Sequence, residues 1–235
     1  MQGNGQDDTI VLHTARRRAV YHSRYDSRAL HRFVEDPDRY LEVPGAELIK
    51  SDATSTVAIS RFDRQLLVIK RYNIKGSWHA GKQAFRRSRA ELSWHNAILL
   101  QQSGIVTPNP VIALEMRHRA IRTRAYYVTE LVNGPRCADF FSNPANVSDR
   151  AVSQLVDIFK KMIEHRLSHG DMKATNIIMT PQGPVLLDLD ATRLHRWRYY
   201  HRHRLERDKE RFLKNWKSDP ALQRRFTQHF DGIGL

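Results

Sequence analysis

Apolar positions along the chain follow two rhythms. From Glu47 to Arg71 they come in short runs: Leu48-Ile49, then Thr56-Val57-Ala58-Ile59, then Leu66-Leu67-Val68-Ile69. Such runs, rich in β-branched residues and bounded by polar turns, predict strands. The last two are joined by Arg61-Phe62-Asp63-Arg64, so the stretch predicts a three-stranded antiparallel meander. From Gln83 to Gln102 the spacing changes: Phe85, Leu92 and Leu99 share one helical face, and the pattern stops near Gly104, ahead of Pro108. Val111–Leu114 and Ala125–Leu131 return to strand character. Asp149–His165 predicts an amphipathic helix that buries Val152, Leu155, Val156, Phe159, Met162 and Ile163, with Ser148 as its N-cap. Ile177-Ile178-Met179 and Val185-Leu186-Leu187, separated by Thr180-Pro-Gln-Gly183, suit a hairpin. Ala191–Leu235 reads as basic and mostly helical. Residues 1–45 are polar and basic, with one patterned piece, Ala29–Leu41, broken at Asp36-Pro37, and read as an N-terminal extension.

At 235 residues the chain can bury one core, or two small lobes sharing one, so a single catalytic unit is expected. No apolar run approaches the ~20 residues that cross a bilayer. The opening Met1-Gln-Gly-Asn-Gly-Gln-Asp-Asp has neither the basic nor the apolar region of a secretory signal, which predicts a cytosolic protein. The single Cys137 agrees, because one cysteine builds no internal disulfide framework. Charge sharpens the picture: 39 Lys and Arg against 25 Asp and Glu leave +14, so an anionic partner is expected. A nucleic acid, an anionic membrane surface or a phosphorylated substrate would each satisfy that demand.

Ser168-His-Gly-Asp171-Met-Lys173-Ala-Thr-Asn176, followed after the hairpin by Leu187-Asp188-Leu189-Asp190, narrows the choice. Phosphoryl transfer needs a carboxylate to take or orient the nucleophile's proton, a cation by the transferring phosphate, and oxygen ligands for Mg²⁺. Asp171 is the candidate base, and Lys173 the cation for charge developing on the γ-phosphate. Asn176, Asp188 and Asp190 are the candidate metal ligands. His169 is expected to hold the loop by hydrogen bonds.

The loop resembles the protein-kinase pattern H-R-D-x-x-x-x-N with Gly170 in place of Arg, and Asp188-Leu-Asp190 resembles a variant D-F-G. A wider set of blocks is similar to the lipopolysaccharide core kinases, which phosphorylate Kdo or heptose sugars. The set comprises this loop, Leu187-Asp-Leu-Asp-Ala191, Ile69-Lys-Arg-Tyr-Asn-Ile-Lys75, Ser88-Arg-Ala, Ser93-Trp-His-Asn-Ala97 and Gly104-Ile-Val-Thr-Pro-Asn-Pro110. The resemblance covers about Gly45 to Phe230 and implies a minimal, two-lobed, α+β kinase-like fold. Residues 46–132 would form a sheet-rich N-lobe with one helix, and residues 133–235 a mostly helical C-lobe.

The same resemblance implies ATP and Mg²⁺ as cofactors and gives roles to residues outside the loop. Lys70 matches the strand lysine of the α- and β-phosphates. Glu130 and Val132 fall at the hinge that meets adenine through backbone groups. No G-x-G-x-x-G occurs; the equivalent turn is Ser51-Asp-Ala-Thr-Ser-Thr56, where Ser55 is the candidate phosphate contact. Glu91 is the acid in the helix and the candidate partner of Lys70. No A-P-E segment follows Asp190, so a sugar or small acceptor is expected over a protein, and the resemblance implies a lipopolysaccharide-core or lipid A-linked sugar. Arg193–Arg204 interleaves cations with aromatics, which suits a glycolipid at the cytosolic face of the inner membrane. Rival readings are a kinase of proteins or soluble small molecules, and a basic pseudokinase or nucleic-acid-binding module. No nucleic-acid motif occurs, and no such partner is expected.

Overall fold

The computed structural model describes residues 8–73, 87–118 and 121–235. They divide into two compact units, one comprising residues up to His95 with Asn109–Leu131, the other Asn96–Pro108 with Val132–Leu235.

The first unit is built on a seven-stranded, wholly antiparallel sheet of order β1-β2-β6-β7-β5-β4-β3. Its strands are β1 (Thr9–His13), β2 (Arg17–His22), β3 (Glu47–Ser51), β4 (Ser55–Phe62), β5 (Gln65–Tyr72), β6 (Pro110–His118) and β7 (Ile121–Glu130). The β3–β5 meander is as the pattern predicts, and its tight β4–β5 turn places Asp63 at φ +51, a left-handed conformation that Asp tolerates.

Residues 8–45 depart from their reading as an extension. They supply β1 and β2, with β2 paired along β6, and a helix α1 (Arg28–Glu35) capped by Ser27, which accepts from the Leu30 amide at 3.2 Å. The short α2 (Arg39–Glu42) follows. Phe33 of α1 is fully buried with Leu30, Phe62, Ile69, Leu114, Tyr126 and Val128, so this segment completes the sheet's core. Asp38 then locks it to the strands: its carboxylate accepts from Tyr126 Oη at 2.9 Å and Arg71 at 3.0 Å, and also pairs with Arg124.

The helix α3 (Arg89–Gln102) starts later than its predicted Gln83. Arg87 and Ser88 are not helical, and the Ser88 hydroxyl accepts from the Glu91 amide at 3.0 Å, the bond of an N-cap. Positions 83–86 of that expectation, Phe85 included, lie outside the described residues.

The second unit is mostly helical: α4 (Cys137–Ser142), α5 (Asp149–Glu164), α6 (Arg198–Leu213) and α7 (Pro220–Asp231). Ser148 caps α5 as expected, accepting from the Ala151 amide at 3.2 Å. Its apolar face, Phe159 included, joins a cluster of aromatics, Phe141, Phe212, Trp216, Phe226 and Phe230, packed mostly edge to face, with Trp216 stacked on Phe226. Against this core lie two small antiparallel pairs. β9 (Ile177–Thr180) and β10 (Gly183–Leu186) form the predicted hairpin, and β8 (Leu167–Ser168) pairs with β11 (Arg193–Leu194). No described helix is long and apolar enough to cross a membrane.

Candidate active site

The loop between β8 and β9 carries Asp171. Gly170 enters it at φ +83, and a Cβ there would stand 2.9 Å from the Ala191 carbonyl oxygen. Glycine therefore replaces the arginine of the related pattern because the backbone has no room for a side chain. Beyond it Met172 is fully buried, pinning the loop between its two polar neighbours.

His169 is the loop's clasp. The Asp171 amide donates to His169 Nδ1 at 3.3 Å, which leaves Nε2–H to donate to the Leu187 carbonyl at 2.9 Å. This fits the structural role expected of it. The clasp spans the loop and the strand end preceding Asp188. A second tie, Leu187 N–H to the Asn176 carbonyl at 2.8 Å, fixes the same strand end beside Asn176.

Asn176 donates its side-chain amide to the Asp171 carbonyl at 2.9 Å and to Asp171 Oδ2 at 3.3 Å. Oδ1 of Asp171 faces cations, Lys173 Nζ at 3.2 Å and Arg211 Nε at 2.8 Å. The structure thus brings Asp171, Lys173 and Asn176 into one cluster. Asp188 adopts φ 58, ψ 59, a left-handed conformation uncommon outside glycine. It opens a 3-10 turn, Leu189–Ala191, that carries Asp190. Asn96 of α3 holds that turn, donating to the Leu189 carbonyl at 2.7 Å and the Thr192 carbonyl at 3.1 Å.

Three supports were not read from the sequence: Asp208, Arg211 and Asn96. Asp208, on α6, is buried, and its carboxylate accepts from the His169 amide at 2.7 Å and the Gly170 amide at 2.9 Å. Burial pushes its pKa above the ordinary 3.8, while the two loop amides and His169 pull it back. A signal for it exists in the sequence: Leu205, Asp208 and Phe212 lie on one helical face, and an inward-facing acid requires donors. Arg211, one turn along, resembles any other cation of a basic helix. Asn96 carries no sequence signal, because its partners are distant backbone carbonyls.

The remaining candidates lie in the first unit or at its end. Lys70 sits on β5 between Val57 of β4 and Tyr127 of β7, with Nζ 5.2 Å from the Tyr72 ring centroid. Ser55 is buried at the start of β4. The turn before it is shaped by Asp52, whose Oδ1 accepts from Thr54 N–H at 2.7 Å, Thr54 Oγ1 at 2.6 Å and Ser55 N–H at 2.9 Å. These bonds, with Lys50, hold the Asp52 carboxyl well below the usual range. Glu91 is nearly buried and pairs with Arg18 at 3.5 Å, His95 at 3.6 Å and Arg87 at 3.8 Å. The Glu130 carboxylate accepts from Asn109 at 2.7 Å, Tyr25 Oη at 2.8 Å and Gln65 at 3.3 Å, so its side chain braces the end of β7. Its amide donates to the Asn109 carbonyl at 3.0 Å. Val132, half-buried, lies two residues beyond β7.

For a divalent cation the donor set is suitable in kind. Asn176, Asp188 and Asp190 offer only oxygens, the hard ligands that Mg²⁺ takes, and the Asn176 nitrogen is committed to Asp171. Among the described residues no cluster of three or more His, Cys, Asp or Glu offers a rival metal centre.

An α+β chain with a buttressed Asp-x-Lys-x-x-Asn loop, followed by a hairpin that ends on an aspartate, is of the phosphotransferase class. The chain belongs to the lipopolysaccharide kinase (Kdo/WaaP) family, whose model matches residues 46–229. Membership makes it a kinase of lipopolysaccharide biosynthesis. Among curated proteins none matches the chain. Among solved structures, one titled "WaaP in complex with acyl carrier protein" aligns at 16% identity and TM-score 0.46, over 84% of this chain and 92% of that one.

Proposed function

We propose that the protein transfers the γ-phosphate of ATP, with Mg²⁺, to a hydroxyl of a Kdo or heptose sugar in the lipopolysaccharide inner core. It would work as a peripheral protein at the cytosolic face of the inner membrane. The observation that carries this reading is the fixing of Asp171, Asn176 and the strand end before Asp188 by three hydrogen bonds, Asn176 to the Asp171 carbonyl, His169 to the Leu187 carbonyl and the Leu187 amide to the Asn176 carbonyl.

In this reading Asp171 is the catalytic base, its carboxylate receiving the proton of the acceptor hydroxyl. The freed oxygen forms the new O–P bond as the bond between the γ-phosphorus and its bridging oxygen breaks, and ADP carries away that electron pair. Lys173, on the same carboxylate, is placed to offset negative charge at the transferring group. Arg211 holds the carboxylate's other approach and limits its rotation. Lys70 binds the α- and β-phosphates, the Ser55 turn lines the phosphates, and backbone groups of Glu130 and Val132 meet adenine. Glu91 supports the Lys70 side of the sheet. Asn176, Asp188 and Asp190 would hold the metal, which when bound supplies charge neutralisation and positions the phosphates.

The test is phosphate transfer from γ-labelled ATP by purified protein with Mg²⁺, offered dephosphorylated Kdo-lipid A, heptosylated core, a soluble sugar and a generic protein substrate. Label is expected in one of the two core acceptors. Label confined to the soluble sugar or to the protein would refute the assignment.

A further inference from the structure

Within the second unit, the run of residues 193–202, from β11 into the start of α6, has an outward face unlike the rest of the described surface. Leu194 is 61% exposed, Trp197 70%, Tyr199 89% and Tyr200 54%. Every other described Phe, Tyr and Trp side chain is buried or half-buried. Packing does not force this exposure, because the same run turns two residues inward. His195 Nε2 shares a 2.7 Å hydrogen bond with Ser168 Oγ, and His201 Nε2–H donates to the Leu167 carbonyl at 2.9 Å. With the β8–β11 pairing, Arg193 to Ser168 and Leu194 to Leu167, these bonds hold the run as a rigid platform.

Interleaved with the aromatics are the exposed Arg193, Arg196, Arg198 and Arg202, and no acid occurs between Asp190 and Glu206. Arg196 lies 5.4 Å from the Trp197 ring centroid. A solvated basic helix has no use for a Trp and two Tyr in water. A nucleic-acid surface would employ such aromatics in a groove, whereas here they project from the turn at a helix start. Cations for phosphate oxygens beside amphipathic rings, with one aliphatic side chain among them, match the interface of a bilayer.

We infer that Leu194, Trp197, Tyr199 and Tyr200 enter the headgroup layer of an anionic lipid bilayer while Arg193, Arg196, Arg198 and Arg202 contact its lipid phosphates. This deepens the proposed function, and rests on it for the biological purpose: β8, paired with the platform, runs directly into His169–Asp171, so docking fixes the catalytic loop relative to a lipid-borne acceptor.

The test uses the full chain with phosphatidylcholine vesicles, with and without phosphatidylglycerol, and needs no catalysis. The chain has three further tryptophans, Trp78, Trp94 and Trp216, so the Trp197 signal is taken as the difference between the wild type and Trp197→Phe. On anionic vesicles that signal is expected to shift to the blue and to be quenched by brominated acyl chains. The triple variant Trp197→Ser, Tyr199→Ser, Tyr200→Ser should lose roughly ten-fold or more in vesicle affinity. Its thermal unfolding and its transfer to a delipidated, soluble acceptor should be unchanged. A second variant, Arg196→Glu, Arg198→Glu, Arg202→Glu, should lose the preference for phosphatidylglycerol and its dependence on salt. Wild-type vesicle affinity in the triple variant overturns the inference. So does a Trp197 signal that responds to an acidic protein or soluble polyanion but escapes brominated lipid. Vesicle binding that persists while no acceptor is phosphorylated sinks the kinase reading and leaves this one standing.

Discussion

Asp171 has its backbone carbonyl and Oδ2 engaged by Asn176 and its Oδ1 by two cations, so the residue is over-determined in orientation. Asp171→Asn keeps the shape and removes the proton acceptor. Turnover should fall on the order of 10²- to 10⁴-fold, the usual worth of a positioned base, with nucleotide affinity nearly intact. Steady-state kinetics beside a nucleotide titration separates the two, and wild-type turnover would remove Asp171 from the role. Asp188→Ala should abolish Mg²⁺-dependent nucleotide binding and turnover, whereas Asp190→Ala should retain more of both. The difference follows from Asp188's place at the strand end that His169 and Asn176 fix, and metal titrations of the two variants decide it. Gly170→Ala introduces a Cβ where 2.9 Å is available and demands a left-handed backbone. It should cost about 1–3 kcal/mol in denaturant unfolding and slow turnover by displacing the Asp171 amide from His169.

At the scale of elements, α6 is the beam on which the loop rests. Asp208→Ala leaves the His169 and Gly170 amides without their acceptor, at about 1–3 kcal/mol for each buried orphan donor. Urea midpoints should fall accordingly, and residual activity should drop further than stability does. The raised pKa of Asp208 has its own sign. Its protonated form is favoured in the fold, so its contribution is largest below the ordinary 3.8 and declines as pH rises through the folded value. His195 behaves oppositely in acid. Burial first, then His201, Arg204 and Arg193, depress its pKa below 6.5, so the β8–β11 pair should weaken as pH falls below about 6.5 toward the folded value. Urea unfolding at stepped pH should show that slope, flattened in His195→Gln; an unchanged slope would assign it elsewhere.

The elements that could be read in advance were those whose pattern is local. The β3–β5 meander, α5 with its Ser148 cap and the β9–β10 hairpin each declare themselves within about 20 residues. β1 and β2 do not, because Arg16-Arg17-Arg18 masks a short alternating run and its partner β6 is remote in sequence. For α3 the seven-residue apolar spacing runs through Ser88, and only the bond from the Glu91 amide to the Ser88 hydroxyl marks where the helix starts. Within the site, Asp171, Lys173 and Asn176 were legible by spacing and cluster as expected. Asp208 and Arg211 belong to another element, and only tertiary contact brings them to the loop.

For the whole molecule, the family match begins at residue 46, but the first unit's sheet begins at Thr9. A protein cut to residues 46–235 would expose the β6 edge and the face that Phe33 and Leu30 cover. It should be recovered insoluble, or without a cooperative transition in urea, while the full chain unfolds cooperatively. Soluble, cooperative material from the shortened chain would return residues 8–45 to the status of an appendage.

The sheet order also sets a schedule for the nascent chain. β2 leaves the ribosome long before its partner β6, roughly 90 residues later, which at bacterial speeds of ~5–20 residues per second is on the order of 5–20 s. Throughout that interval the N-terminal hairpin has an unfilled backbone edge, and α1 lacks the part of its core that Leu114, Tyr126 and Val128 supply. The newborn protein is therefore a natural client for holding chaperones, and synonymous codons that slow translation between β2 and β6 should lengthen its dependence on them.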